Sequence, residues 1–250
     1  MAGHSKWANR VHRKTRQDKK RSALYNKLSR RIMSAAREGG GGDPELNHKL
    51  RMAIDQAKAF QLPNDKIEFA LKRGTGEIAG ISYESAVYEG YGPAGVALMI
   101  DTLTDNPVRT VAELRNIMKS ANASLGTPGS VAWMFARKGV ISVPKDKVDE
   151  ETIFTIAVEA GAEDVLDEDE AWEVRTDPQD YQAVHDALEA AGIERERAEV
   201  TMVPTTTTPV ADSEAPKIIR LLDALDEHED VQHVFANFEI SDEALAALDS

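Results

Sequence analysis

The chain contains no cysteine. Disulfides, zinc–thiolate centres and thiol nucleophiles are therefore outside its range of functions. It also lacks any run of about 18 apolar residues, the minimum that reads as a membrane-crossing helix. Its N-terminus is basic, but no apolar stretch follows, which excludes a secretory signal; the Arg-rich, acid-poor character is otherwise that of an organelle transit peptide. No phosphate-binding loop is present. Gly39–Gly42 runs into Asp43-Pro44 where such a loop needs Lys and Ser or Thr, and Gly74-Thr75-Gly76 closes a helical pattern. Both glycine clusters read as joints. No metalloprotease helix and no nucleophile elbow occurs. His228 and His233 are five apart and do not share a helix face. Asp167-Glu168-Asp169-Glu170 lacks the spaced ligands and internal glycine of a calcium loop and reads as an exposed acidic turn. These absences predict a protein that is not an enzyme and has no catalytic residues, metal, cofactor or small-molecule substrate.

The scarcest component is acid near the start. The first 37 residues hold twelve Lys/Arg and one acid, Asp18, while the whole chain nets −13. Residues 74–250 hold 12 basic and 36 acidic residues. A basic arm on a strongly acidic body reaches a polyanion with one end and is repelled by it elsewhere. The arm residues His4, Lys6, Trp7, Arg10, His12, Arg13, Lys14, Arg16, Lys19, Lys20 and Arg21 are the first candidate site, continued by Lys27, Arg30 and Arg31. Cations neutralise phosphates and release counterions, which gives affinity without sequence readout. Trp7 and the histidines are suited to stacking on unpaired bases, or Trp7 anchors the arm on the helices that follow.

A second feature lies in the middle. Between Asn106 and Lys145 the one acid is Glu113, against Arg109, Arg115, Lys119, Arg137, Lys138 and Lys145. Arg109, Arg115, Lys119, Arg137 and Lys138 form a candidate second polyanion contact. The competing reading is that these cations pair with neighbouring acids.

Periodicity gives the architecture. Residues 22–74 predict a small helical bundle: a helix through Leu24, Leu28, Ile32 and Ala35; a second opened by Asp43 as N-cap with Pro44 at the first helical position; and a third capped by Asn64. Strands are expected at Val87–Tyr91 and Val96–Leu103, with a helix opened by Asn106-Pro107 and a further strand at Val131–Phe135. Residues 139–204 alternate as β-α-β-β-α-β, the ferredoxin-like split unit, complete by itself. A helix at 218–225 and a strand at His233–Ile240 close the chain. Neither this last pair nor the 83–120 segment can bury a core alone, so the two are expected to pair, with the ferredoxin-like unit inserted. The expected fold class is thus α+β multidomain: a basic helical domain (1–78), a discontinuous α+β domain (79–138 and 205–250) and an inserted α+β domain (139–204).

Five stretches carry a resemblance: GHSKWANRVHRKTRQDKKR at 3–21, AIDQAKAFQLPNDKIEFALKRGTGE at 53–77, YEGYGPAGVALMIDTLTDN at 88–106, RTVAELRNIMK at 109–119 and LGTPGSVAWMFARKG at 125–139. In these the chain resembles the YebC family, also called the translational activator of cytochrome oxidase family. It departs from the family pattern at Arg10-Val11, Pro107-Val108 and Ser124–Gly129. The resemblance implies a crescent of three domains, the third inserted in the second. It further implies a cytoplasmic DNA-binding transcriptional regulator, or alternatively an RNA-binding translation factor acting at the ribosome. A third expectation, from the acidic face alone, is a protein-interaction scaffold. The expected partner is DNA or ribosomal RNA, and no membrane.

Overall fold

A computed structural model describes residues 21–38, 41–80, 82–168, 170–241 and 244, with the backbone alone for 21 and 22. Helices α1 (Arg21–Glu38), α2 (His48–Ala59) and α3 (Asn64–Gly74) form the N-terminal bundle. Leu28 and Ile32, and Leu50 and Ile54, recur at helical spacing and interlock with Leu62 of the α2–α3 connection and Ile67 as its buried core. The start of α2 differs from the sequence expectation. Asp43 accepts the Glu45 N–H (2.9 Å) in a turn, and Asn47 is the cap. Asn47 wins because one side chain closes three gaps. Its Oδ1 accepts from Leu50 N–H, and its Nδ2 donates to the carbonyls of Ala35 and Gly41. It therefore ties α2 to the end of α1 while satisfying a helix N-terminus. Similarly, α3 is preceded by Pro63, whose carbonyl accepts from Lys66 and Ile67, so Asn64 is the first helical residue and not the cap.

The middle domain is built on β1 (Glu84–Tyr91), β2 (Ala97–Thr104), α4 (Pro107–Ser120), β3 (Ser124–Leu125) and, from the far end of the chain, α7 (Ala215–Asp226) and β9 (Val231–Ala236). Its sheet order is β3-β1-β2-β9, with β2 paired antiparallel to β9 from Leu98↔Ala236 to Thr102↔Val231. This pairing joins the two distant segments, as the need to bury a core requires. Leu98, Ile100, Leu114, Met118, Ile218, Leu222 and Val234 fill the space between sheet and helices. Asn106 caps α4 by accepting from Arg109 N–H.

The inserted unit runs β4 (Phe135–Pro144), α5 (Glu150–Glu159), β5 (Ala162–Glu168), β6 (Ala171–Thr176), α6 (Tyr181–Ala190) and β7 (Arg197–Pro204). Its sheet order β5-β6-β4-β7, all antiparallel, is that of a ferredoxin-like fold. Ile141, Val143, Ile153, Trp172, Val174, Val184 and Leu188 make its core.

Two expectations near the domain junction are corrected. Val131–Phe135 is not a strand: Ala132–Met134 is a 3-10 turn, and β4 begins at Phe135. The final strand is also divided. Buried Asn237 interrupts it by accepting Ala97 N–H (2.7 Å) on its side chain; beyond it β10 (Phe238–Glu239) pairs parallel with β8 (Thr208–Pro209).

Candidate nucleic-acid interface

The predicted arm, His4, Lys6, Trp7, Arg10, His12, Arg13, Lys14, Arg16, Lys19 and Lys20, lies outside the described residues, as does the side chain of Arg21. The cations that continue it along α1 are placed. Lys27 Nζ donates to the Asp226 carbonyl (2.5 Å) and sits 3.5 Å from its carboxylate. Arg30 reaches Asp230 Oδ1 (2.8 Å) and Glu229 Oε2 (3.0 Å), and its guanidinium lies over the Tyr83 ring. Arg31 donates to Gln56 Oε1 (2.6 Å). Burial holds the Arg31 pKa below its ordinary value, against the charges of Glu199 and Asp101. Lys27 and Arg30 therefore clamp the helical bundle to the turn between α7 and β9, while Arg31 bonds within the bundle and feels the charges of Asp101 and Glu199.

Asp230 is the centre of that clamp. It is wholly buried. Oδ1 takes Arg30, while Oδ2 accepts from Arg109 (2.7 Å), Thr110 Oγ1 (2.8 Å) and Thr104 Oγ1 (3.3 Å). Burial pushes its carboxyl up, but the hydrogen bonds from Arg109 and Thr110 and the charges of Arg109 and Arg30 outweigh it and hold the carboxyl below the usual range. The two basic stretches read separately in the sequence thus converge on one carboxylate, Arg30 from α1 and Arg109 from α4.

The five cations of the middle stretch divide into two groups. Arg109 pairs with Asp105 and Asp230, Lys138 with Glu163 (2.6 Å), and neighbouring Lys145 with Asp167. Arg115, Lys119 and Arg137 are exposed and have no side-chain partner among the described residues. Arg115 and Lys119 follow one another on the outward face of α4, opposite buried Leu114 and Met118. Arg137 opens into a cleft of about 780 Å³ where all three domains meet.

That cleft carries the most strongly perturbed groups. Burial pushes the Glu199 carboxyl up, yet Arg197 (2.6 Å), His233 and Arg31 bring it down to about 2. Burial and the charge of Arg31 hold His233 at about 3, so it is a neutral imidazole. Burial raises Asp101. Lys49 pairs with Glu38 and Arg195 with Glu189. These pairs lie within single domains, and across the cleft Arg31 of the bundle feels the charges of Asp101 in the middle domain and Glu199 in the insert.

Two groups of side chains have metal-ligand composition, Glu113 with His228 and Asp230, and His185 with Asp186 and Glu189. The first is a hydrogen-bonded set: His228 Nε2 meets Glu113 Oε2 at 2.8 Å, His228 Nδ1 accepts from Asp230 N–H, and Asp230 is already occupied by arginines. In the second, Arg195 and Gln182 hold Glu189 and Asp186. In both sets the donor atoms engage other side chains of the protein.

Sequence reasoning missed two positions. Asp230 stands in an acid-rich run, DEHED, where nothing marks one carboxylate as buried. Glu89 accepts N–H groups of Gly129 (2.6 Å), Val131 (2.7 Å) and Ala132 (2.9 Å). Burial pushes its carboxyl up, but these three donors bring it below the ordinary value. It thereby fixes the loop after β3. Only its place beside Gly90 hinted at this: a Cβ at Gly90 would lie 2.6 Å from the Ser124 carbonyl, so the loop passes hard against β1.

The fold and these contacts define a class: a three-domain α+β protein, one domain inserted in another, clamped by buried ion pairs and carrying exposed cations on α4. The family models described as the TACO1/YebC protein N-terminal domain and the TACO1/YebC second and third domain match residues 5–77 and 83–238. The chain belongs to the TACO1/YebC family. It is 52% identical over 247 residues to a probable transcriptional regulatory protein of Persephonella marina, covering 98% of each chain. It is 50% identical over 250 residues to one of Acidithiobacillus ferrooxidans, covering 100% of this chain and 99% of the other. The crystal structure of a conserved hypothetical protein from Aquifex aeolicus superposes with a TM-score of 0.81 at 43% identity, covering 90% of this chain and 93% of that one.

Proposed function

We propose that the chain is a non-enzymatic, cytoplasmic regulator of gene expression that works by binding nucleic acid through its basic N-terminal segment. One observation carries this reading. Twelve of the 30 Lys/Arg lie in the first 37 residues, on a chain whose remainder is acidic. Lys27 and Arg30 are turned inward to the clamp, which leaves the Lys/Arg of residues 1–21 as the cations that this reading assigns to a polyanion. The names of the relatives, probable transcriptional regulatory proteins, agree with a regulatory role.

Between DNA and RNA, the placement of the remaining cations favours a folded RNA such as that of the ribosome. Arg115 and Lys119 lie on the outward face of α4, set in a body that repels a duplex lying along it. A folded RNA surface can meet two separated basic regions while the acids face solvent, and two linked contacts raise affinity through effective concentration. Sedimentation with ribosomes, with and without nuclease, tests this. Co-sedimentation that nuclease abolishes is expected; a protein that binds duplex DNA and ignores ribosomes contradicts the RNA reading in favour of transcriptional control.

A further inference from the structure

The chain places a second tryptophan where packing does not need it. Trp172, in the inserted domain, is buried, and its Nε1 donates to the Val148 carbonyl. Trp133 is 66% exposed. The small core beside it is closed by Val131, Phe135, Met99 and Phe235 without it. Yet Trp133 is held. Its Nε1 donates to the Ser130 carbonyl (3.2 Å), and the same carbonyl accepts from the hydroxyl of Tyr91 (3.0 Å), itself 36% exposed. The segment that carries Trp133 is pinned in turn by the three N–H bonds to Glu89.

Two aromatic side chains whose polar tips share one fixed acceptor, and whose rings are left to solvent, lose little freedom when a flat partner arrives. Glu89, the acid that pins this loop, is occupied by its three backbone donors, and the stretch of chain that carries Trp133 is otherwise poor in acid. From Asn106 to Lys145 the only acid is Glu113, and Arg137, exposed and without a partner among the described residues, follows four positions after Trp133. Every nucleobase offers a π-face, and the phosphate that comes with it is favoured by an acid-poor, cationic setting. We propose that Trp133 and Tyr91 form a stacking platform for an unpaired nucleobase, so that the nucleic acid is single-stranded where it meets this loop. This rests on the nucleic-acid reading above and narrows it.

The test uses the full chain with a 15-nucleotide oligouridine, the same sequence as a duplex, and an abasic sugar–phosphate chain of equal length. Trp133→Ala should weaken oligouridine binding roughly tenfold or more. Trp133→Phe should retain most of the affinity, because a ring remains. Tyr91→Phe, which keeps the ring and removes its tether, should lose less than Trp133→Ala. Affinity for the abasic chain should be unchanged in all three. The platform is refuted if Trp133→Ala binds oligouridine as wild type while Lys19→Glu/Lys20→Glu loses affinity; the nucleic-acid reading then stands. An equal loss on the abasic chain also refutes it, since stacking cannot be the cause. If the wild type binds none of the three probes, both the platform and the reading that supports it fail.

Discussion

Replacing Asp230 with alanine should be among the most damaging single changes to the domain arrangement. Asp230 is fully buried, and Arg30, only 15% exposed at its side chain, approaches it at 2.8 Å. Removing the carboxylate leaves the Arg30 guanidinium in a partly desolvated site, with Glu229 on the solvent side as its remaining acidic partner. Breaking a buried pair from one side costs about 3–5 kcal/mol, because the surviving charge is uncompensated. Thr110 and Thr104 also lose their acceptor, which adds in the same direction. Against a total stability of about 5–15 kcal/mol this is a large fraction. Urea unfolding of Asp230→Ala should show a sharply lowered midpoint. Arg30→Met with Asp230→Ala should cost less than the sum of the two single changes, since the second removes an interaction already lost. Asp105→Ala, which takes away the partly exposed partner of Arg109, is the control and should leave the midpoint nearly unchanged. If Asp230→Ala costs no more than that control, or the two changes add independently, Asp230 is not the clamp and the argument from convergence fails. The sign with pH follows from the depressed carboxyl: its contribution is full above the unfolded value near 3.9 and is lost as pH falls through the lower folded value.

Other outcomes follow from the same contacts. His233 is held at about 3, against 6.5 unfolded, so only the unfolded chain takes up its proton between those values. Stability should therefore fall as pH drops below 6.5, by an amount on the order of 2 kcal/mol by pH 4.5; His233→Gln should flatten that slope in urea titrations, and an unchanged slope would reject the assignment. At Gly139 a Cβ would lie 2.2 Å from Thr176 Oγ1 and 2.7 Å from the Tyr181 ring. Gly139→Ala should thus destabilise the inserted unit by about 1–3 kcal/mol, seen as a lowered thermal midpoint. A fragment of residues 135–204 should fold cooperatively by circular dichroism, since β4 starts at Phe135; residues 80–134 alone should not, because β2 lacks β9.

Much of the fold was legible because local pattern and global need agreed. Asn106-Pro107 announced α4, and the β-α-β-β-α-β alternation announced the insert. The pairing of 98–102 with 231–236 was deducible from the fact that neither half buries a core alone. The errors have a common cause: a residue's local signal was overridden by a distant partner. Asp43-Pro44 looks like a helix start, but Asn47 serves α1 as well as α2. Val131–Phe135 has strand composition, but Glu89, some forty residues away, captures three of its neighbourhood's N–H groups and bends it into a turn. Of the candidate site, sequence reading located the cations but not their direction. Lys27, Arg30 and Arg109 are indistinguishable in sequence from Arg115 and Lys119. What separates them is an acidic turn at 226–230, reached only through the tertiary fold.

On the proposed function, the basic N-terminal segment supplies the affinity for nucleic acid. The direct measurement is binding of ribosomal RNA across a salt series by the full chain and by a chain carrying Lys19→Glu, Lys20→Glu and Arg21→Glu. With about six phosphates neutralised, log K against log salt should have a slope of roughly −4 where single strands are bound or roughly −5 on duplex; in the variant the slope should be shallower and binding weaker at every salt concentration. A flat salt dependence, or a variant that binds like the wild type, would contradict the claim.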